Sequence, residues 1–576
     1  MMGYVIVIGS IYASGCFVHR AFFRSSDVLK AVTLPFAFGL VLFPSIFAMS
    51  YYLSNNFDFA FYSTPIVSMI LLGASKKFKH ETVPWKRDNK LIVMLLVVLV
   101  IAITTRFFYD SWLERAADPH FHLSAINSIK NDRVLPPDTA CLPGEKFQYP
   151  WFYHLIAAVL LTYAKTSSIY VFSIFGVFIA AVGICMAYIL GDVLGINKIS
   201  FTLLVVAWST FFILQVDPHP TALILMLLFF YCLFNYDKDR TIKMAFLSSA
   251  IAAATFYFHG LTFIFVVLVL FSYSIIRMLQ KDYNYRHAPW LFMPLALALP
   301  FYLSISSTAS EPFLFVPFGG FVQRYETLGP LLLGMIGGYI AVRKNDKKMT
   351  VFVSLLITLF AFLSAFILKL SQNIDRFVEF MFLPLSVLLL YWSQKIPKMA
   401  RYAVISMAIV WMLWSPIIQV TATTGMPFVQ TDEYAVSVWI KDHSTQNQEF
   451  IGAPTPVYLT GSERKTVFCE DGFLRGMFYP PSHIKRNFED MIILYTNPSR
   501  ELVEKHNIAY FIVGDRERSF FDAYDLQPYD FASSGAFVKT FQSGSYAVYS
   551  VNATKLPQTV SRSNLNYTYY SRWWEI

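Results

Sequence analysis

A polar segment between two apolar runs, residues 109–150, carries the residue types that general acid–base chemistry needs. Acidic and histidine side chains crowd its first part: Asp110, Glu114, Asp118, His120 and His122. Asp118 and His122 are four residues apart, and Pro119 suits the first position of a helix that opens at Asp118. Such a helix places both side chains on one face. A carboxylate there can take a proton from a bound hydroxyl, although Asp118 could instead serve only as a helix cap and His122 only as an interfacial histidine.

Further ionisable residues stand at the ends of apolar runs: Asp217, His219, His259, Asp375 and Arg376. Such residues near membrane depth are costly and usually mark a site or a cavity. Snorkelling, or a simple Asp375–Arg376 pair, explains any single residue but not their gathering beside the long loop. The mixed oxygen and nitrogen donors of Asp118, His122, Asp217 and His219 suit a divalent metal ion such as Mg or Mn, although their spacing alone does not establish one.

Three common catalytic motifs are missing from the sequence. It contains no G-x-x-x-x-G-K-[ST], no H-E-x-x-H and no G-x-S-x-G. An ATP-driven transporter and a zinc or serine intramembrane protease are therefore disfavoured.

The composition indicates the class of protein in which these residues lie. Of the 576 residues, 56% are hydrophobic and 14% are charged, whereas globular domains carry roughly 25% charged residues. The net charge of +9 arises from basic residues in short stretches between apolar runs, which is typical of cytoplasmic loops and not of a nucleic-acid-binding surface. The sequence therefore predicts a polytopic α-helical membrane protein.

A membrane-spanning helix needs roughly 20 apolar residues. About fourteen runs approach this length, which predicts about 13–15 transmembrane helices. The runs cover residues 3–18, 28–53, 58–74, 90–107, 169–190, 199–215, 220–236, 244–258, 260–277, 289–305, 329–343, 350–369, 377–393 and 401–420.

The basic clusters predict the orientation, because such loops stay in the cytoplasm. The N-terminus, the loop 109–150 and everything after residue 420 then lie outside. This assignment requires an odd number of crossings between residues 150 and 238, yet four apolar runs lie there. The shortest, 150–164, is therefore predicted to be a re-entrant or interfacial helix, which moves Asp217 and His219 to the outer face of a plasma-membrane protein.

The chain divides into three predicted parts: N-terminal transmembrane helices at 1–89, a transmembrane core at 90–420 and an outer α/β domain at 421–576. In the last part, charged residues return to ordinary surface density and β-like runs alternate with helical ones. Cys141 and Cys469 are the two cysteines in polar segments. A disulfide between them is one reading, but two independent thiols are expected.

The order of these parts resembles the GT-C superfamily, multi-spanning glycosyltransferases that use polyprenyl- or dolichyl-phosphate-linked sugars. The loop sequence "DPHFHLSAINSIKNDRVLPP", followed by "YPWFYH" at Tyr149 to His154, is similar to the first outer loop of many prokaryotic members. The stretches "IAYFIVGDRERSFF" and "GSYAVYSV" are similar to the tail domain of several members. The matched positions lie within residues 90–550 and are individually short.

The resemblance implies a site. Asp118 would be the base or the carboxylate that orients the acceptor, with His122 beside it, and Asp217 with His219 would help to hold a divalent metal ion. Arg376 and His259 would lie near the lipid phosphate. The partners would be a lipid-phosphate-linked sugar donor, membrane lipids, and a glycan, lipid or protein acceptor, with no nucleic acid.

Two departures from the family matter. Three spans precede the one before the loop, and no W-W-D-Y-G motif occurs, which argues against a protein-glycosylating oligosaccharyltransferase. A secondary transporter or lipid-linked glycan flippase is the main alternative, although no internal repeat supports it. A glycan ligase or polymerase scaffold is another.

Overall fold

The computed structural model of the chain describes most of its residues. The described residues are 2–23, 25–83, 92, 117–140, 142, 145–146, 149–165, 168–213, 218–293, 296, 329–367, 380–422, 431–455, 457–469 and 481–559.

Most of the described chain is helical. The helices before the tail are α1 (Met2–Phe22), α2 (Val28–Ser54), α3 (Phe57–Ser75), α4 (Ala117–Asp132), α5 (Phe152–Ala164), α6 (Ser168–Leu194), α7 (Lys198–Ile213), α8 (His219–Asp239), α9 (Ile242–Phe258), α10 (Gly260–Leu279), α11 (Gly334–Arg343), α12 (Met349–Ile367), α13 (Phe382–Ser393) and α14 (Lys398–Ala422). A short parallel pair, β1 (Ser25–Asp27) and β2 (Glu81–Val83), joins the segments beside α2 and α3.

Six described helices are long and apolar enough to cross a membrane, by length and composition. These are α1, α2, α3, the part Phe175–Leu194 of α6, α8 and α10. Shorter apolar helices occupy several other predicted runs, including α9, α12 and α13. The predicted run 90–107 lies outside the described residues apart from residue 92, as does most of 289–305.

Glycines bring the first two helices close together. A Cβ atom on Gly15 would lie 1.7 Å from the carbonyl oxygen of Pro35, and one on Gly39 would lie 1.8 Å from that of Ile11. Only glycine permits this separation, which is how small residues allow membrane helices to pack closely.

The basic loops meet at one end of the helical region. Arg240 and Lys347 both pair with Asp282, each at 3.1 Å. The Lys348 ammonium donates to the carbonyl of Val193 at 3.1 Å. Asp237 pairs at the same end with Arg277, whose side chain is fully buried. We call this the basic end; the opposite end is the site end.

Helix α5 has both of its ends at the site end. Its first residue, Phe152, stacks on Tyr257 at 5.0 Å between ring centroids, next to the end of α9. Near its last residue, the Tyr163 hydroxyl donates to the carbonyl of Phe61 in the first half of α3. Its 13 residues rise only about 20 Å, which is short of a bilayer core of about 30 Å. These contacts agree with the prediction that the segment 150–164 does not cross the membrane.

The tail is an α/β domain, as its alternating patterns predict. Its helices are α15 (Thr431–His443), α16 (Val457–Ser462), α17 (Pro481–Thr496), α18 (Arg500–Lys505) and α19 (Asp515–Ala523). Its strands are β3 (Glu449–Ile451), β4 (Lys465–Thr466), β5 (Ile508–Val513), β6 (Phe537–Ser543) and β7 (Tyr546–Val551). They form one sheet in the order β4-β3-β5-β7-β6, with β3 parallel to β4 and β5, and β7 antiparallel to β5 and β6.

Buried carboxylates hold the tail together. Glu433 is fully buried and accepts from the Arg516 guanidinium and, at 3.0 Å, from the Tyr546 hydroxyl. Glu517 is also fully buried and accepts from the Ala453 amide at 2.8 Å and from the Tyr458 hydroxyl at 2.7 Å. Each carboxyl group therefore has donors fixed by neighbouring elements, which the burial of a polar group requires.

Candidate active site

Helix α4 carries the residues from which the predicted chemistry starts. It begins at Ala117, one residue before the predicted start at Asp118, and ends at Asp132. His120 and His122 are both buried, with 2% and 8% of their surfaces exposed. The helix includes Asp118, but the placement of its side chain lies outside the described residues.

His122 pairs with a histidine from α5. Its Nδ1 lies 2.9 Å from Nε2 of His154, whose side chain is fully buried. One of these nitrogens must donate and the other accept, so the contact cannot form when both rings carry two protons. Tyr149 completes the cluster, with its ring 5.6 Å from that of His122 and 6.0 Å from that of His154. The contact therefore depends on the protonation of the two rings.

A second pair of histidines stands where two other helices begin. His219 is the first residue of α8, and its ring lies 4.6 Å from the ring of His259. His259 precedes α10 and caps it, because its Nδ1 accepts from the Thr262 amide at 3.3 Å and lies 2.9 Å from the Thr262 hydroxyl. The Phe380 ring lies parallel to His219 at 6.4 Å. The segment directly before α13 therefore contacts this pair.

The two histidine pairs lie at the same end of the molecule and are connected by packed aromatic rings. Phe152, two residues before His154, contacts both Tyr257 and Phe258, which directly precede His259. The structure thus places His219 beside His259, and Phe152 packs between the segment before His259 and the segment that carries His154.

The remaining predicted site residues are not described. Asp217 and Arg376 lie outside the described residues, although their neighbours Pro218 and Phe380 are buried within them. Within the described ranges, no group of three or more His, Cys, Asp or Glu side chains is arranged to hold a metal ion. Of the predicted metal donors, His122 and His219 have described side chains, whereas those of Asp118 and Asp217 are not described. A metal site therefore stays a prediction.

The tail domain contacts the C-terminal end of α4. Glu463 accepts from Lys130 at 3.0 Å and from Lys441 at 2.5 Å, and its backbone carbonyl accepts from the Asn131 amide group at 3.1 Å. Burial raises the pKa of Glu463, but the two lysines outweigh it and hold that pKa below its usual value. The carboxylate is therefore ionised at neutral pH and ties the tail to the helix that carries His122.

A second group of ion pairs extends this contact. We call the whole contact the α4–tail junction; its described residues lie within 130–146 and 441–466 and at His483. Lys465 lies 3.0 Å from Asp132 and 3.4 Å from Asp138. Beside it, the Thr466 amide donates to the carbonyl of Ala140 at 3.1 Å. Because β4 is an edge strand, this bond also covers part of an otherwise open sheet edge.

Two of these residues were missed as site residues by sequence reasoning. His154 stands in the "YPWFYH" motif, but nothing in its spacing shows that it meets His122, 32 residues earlier. Glu463 reads as an ordinary surface acid. Its burial depends on two lysines, one of them 333 residues away in the chain.

The apolar helices and the separate sheet domain define a polytopic α-helical membrane protein with a C-terminal α/β domain. No family model matches the chain, and no curated protein matches it. Among solved structures, it is similar to the oligosaccharyltransferase of Archaeoglobus fulgidus, with 12% identity and a TM-score of 0.48 over 74% of this chain and 68% of that chain.

It is also similar to the arabinofuranosyltransferase AftD from Mycobacteria, with 15% identity and a TM-score of 0.49 over 80% of this chain. The alignment spans 40% of the length of AftD. With identities of 12% and 15%, neither likeness assigns the chain to a family, so the GT-C resemblance stays a prediction.

Proposed function

We propose that this protein is a membrane glycosyltransferase that transfers a sugar from a polyprenyl- or dolichyl-phosphate-linked donor to an acceptor on the outer face. One observation carries the proposal. The His122–His154 pair lies near the start of α4, at the same end of the molecule as the His219–His259 pair. A lipid-linked donor enters from the bilayer, so its site must lie where apolar helices and a water-facing loop meet. The site end has both.

The proposed reaction assigns a role to each predicted residue. Asp118 takes the proton of the acceptor hydroxyl, whose oxygen forms the new bond to the sugar C1 atom. The bond between C1 and the phosphate oxygen breaks, and the lipid phosphate leaves. Arg376 and His259 stabilise the negative charge on that phosphate. His122, which pairs with His154, lies four residues after Asp118 along α4.

A divalent ion, Mg or Mn, is part of the proposal. Asp118, Asp217 and His219 would hold it, and when bound it would stabilise charge on the phosphate. Carboxylate oxygens suit both ions, and imidazole is a better ligand for Mn than for Mg. If the ion takes part, transfer stops after treatment with EDTA and returns on adding Mn; full activity in EDTA rules the ion out.

The test is transfer from polyprenyl-phosphate sugars by the purified full-length chain. We expect Asp118→Asn to lower the turnover number about 10²- to 10⁴-fold, the range for loss of a general base. Asp58→Asn is the matched control, because Asp58 is an exposed acid paired with Arg133, and its turnover should not change. Unimpaired transfer by Asp118→Asn would remove Asp118 as the base.

Two further results would reject the proposal. Absence of transfer from any such donor, together with substrate movement across liposome membranes, would favour the transporter or flippase alternative. The outer-face orientation is tested by Asp217→Cys and an impermeant maleimide on intact cells. Labelling there only after lysis would place residue 217 in the cytoplasm.

A further inference from the structure

One cysteine of the tail domain is covalently paired. Cys469 is disulfide-bonded and fully buried, whereas Cys16, Cys185 and Cys232 are free thiols. The expectation of two independent thiols is therefore wrong for Cys469. The sequence has five cysteines, so the remaining one is Cys141, which lies outside the described residues.

The residues around these two cysteines are in contact. Ala140 accepts the backbone hydrogen bond from Thr466, three residues before Cys469. Ala140, Leu142 and Phe468 are 5%, 0% and 1% exposed. The loop therefore packs on the tail at the positions directly beside Cys141 and Cys469.

Polar side-chain contacts hold the same two segments from both sides. Lys465 binds Asp138 and Asp132 before Cys141, and His483 Nδ1 lies 2.6 Å from a carboxylate oxygen of Glu145 after it. Burial lowers the pKa of Lys465, but the two aspartates outweigh this and raise that pKa above its usual value. These charged contacts, like the backbone bond, are independent of the cysteines.

We propose that Cys141 and Cys469 form a disulfide that ties the loop 109–150 to the tail domain, and that it forms in an oxidising exoplasmic compartment. Disulfides persist in such compartments and are rare in the cytosol. The two thiols lose two protons and two electrons and form one S–S bond. A thiol–disulfide oxidase of that compartment accepts them, and its own disulfide becomes a dithiol. The inference does not depend on the proposed glycosyl transfer.

Counting thiols in the denatured full-length chain tests the pairing, because it does not require that variants fold. Cells are quenched in acid, and the chain is labelled with a maleimide polymer before and after reduction. From three free cysteines among five, we expect three labels before reduction and five after it. Cys141→Ser should free Cys469, and Cys469→Ser should free Cys141, so each variant carries four labels in both states.

A matched control and two contrary outcomes complete the test. Cys16→Ser removes a free thiol and should carry two labels before reduction and four after it. If Cys469 stays blocked in Cys141→Ser, the proposed partner is wrong. If the acid-quenched chain carries five labels and loses two only after lysis in air, the pair is not formed in an oxidising compartment and the exoplasmic placement fails.

Discussion

The buried ionisable groups of the site end and of the tail domain differ in kind. At the site end they are imidazoles, His122 with His154 and His219 with His259, which contact one another. In the described part of the tail they are mostly carboxylates, of which Glu433, Glu517 and Asp490 are fully buried and bound by fixed donors. One imidazole, His506, is also buried there and lies 3.0 Å from Asp490. Burial of a titratable group therefore does not by itself mark a site.

The two kinds of buried group are therefore expected to have different roles, one in the stability of the fold and the other in the reaction. Glu433 accepts from a guanidinium and a tyrosine hydroxyl, and these contacts fix the neighbouring elements. The hydrogen-bonded imidazoles of His122 and His154 instead form a contact that depends on which ring carries the proton. The following experiments test that distinction, beginning with the largest expected effect.

Arg516→Ala should destabilise the tail by about 3–5 kcal/mol, because it leaves the buried Glu433 carboxylate without its cation. Urea unfolding of the tail in the solubilised full-length chain, followed by pulse proteolysis, measures this. The matched control is Arg518→Ala, two residues along α19, whose side chain is 52% exposed. It should change stability by less than about 1 kcal/mol, and equal effects of both variants would contradict the fixed role of Glu433.

The tail should lose stability as the pH rises. Burial raises the pKa of Glu517 from 4.5 to about 7, so the folded state holds this proton more tightly than the unfolded state. The stabilisation is fully present below about pH 4.5 and is lost as the pH rises through about 7, by roughly 3 kcal/mol.

Hydrogen exchange of β5 between pH 5 and 8 reports this change. Glu517→Gln keeps an acceptor for Tyr458 and the Ala453 amide but cannot titrate. The pH dependence should be absent in this variant. A profile identical to that of the wild type would assign the dependence to another group.

The two histidine pairs should differ in coupling energy. A double-mutant cycle of His122→Ala and His154→Ala should give about 1 kcal/mol from thermal unfolding, because the pair shares a hydrogen bond at 2.9 Å. The same cycle for His219 and His259, which meet by ring contact, should give about 0.5 kcal/mol. A larger coupling in the second pair would overturn the distinction between them.

His259→Ala should cost about 1 kcal/mol of stability, because it removes the cap on the Thr262 amide. His259→Asn should restore that stability, since asparagine is a good cap. If His259 also binds the donor phosphate, both variants raise KM for the donor. A KM that recovers in His259→Asn would leave capping as its only role.

Hydropathy predicted the helices well because a span needs a long apolar run wherever it lies. The runs 28–53 and 260–277 correspond closely to α2 (Val28–Ser54) and α10 (Gly260–Leu279). The polar pattern from Asp118 likewise predicted the start of α4 to within one residue. These features depend on neighbouring residues and can be read locally.

What the sequence could not predict are contacts between distant segments. His122 meets His154 because α4 and α5 pack together, and the loop of residues between them has no pattern that shows this. Glu463 is buried by lysines from two other helices. The disulfide of Cys469 was missed for the same reason, since spacing does not reveal which segments fold against each other.

The α4–tail junction also constrains the order in which the protein becomes functional. Lys130 is synthesised 333 residues before Glu463, so α4 leaves the ribosome long before the segment that holds it in place exists. At roughly 5–20 residues per second, the helix waits on the order of tens of seconds for its partner. A chain interrupted before residue 463 would carry all the site histidines yet lack the contact that fixes α4, so incomplete synthesis should leave no ordered site.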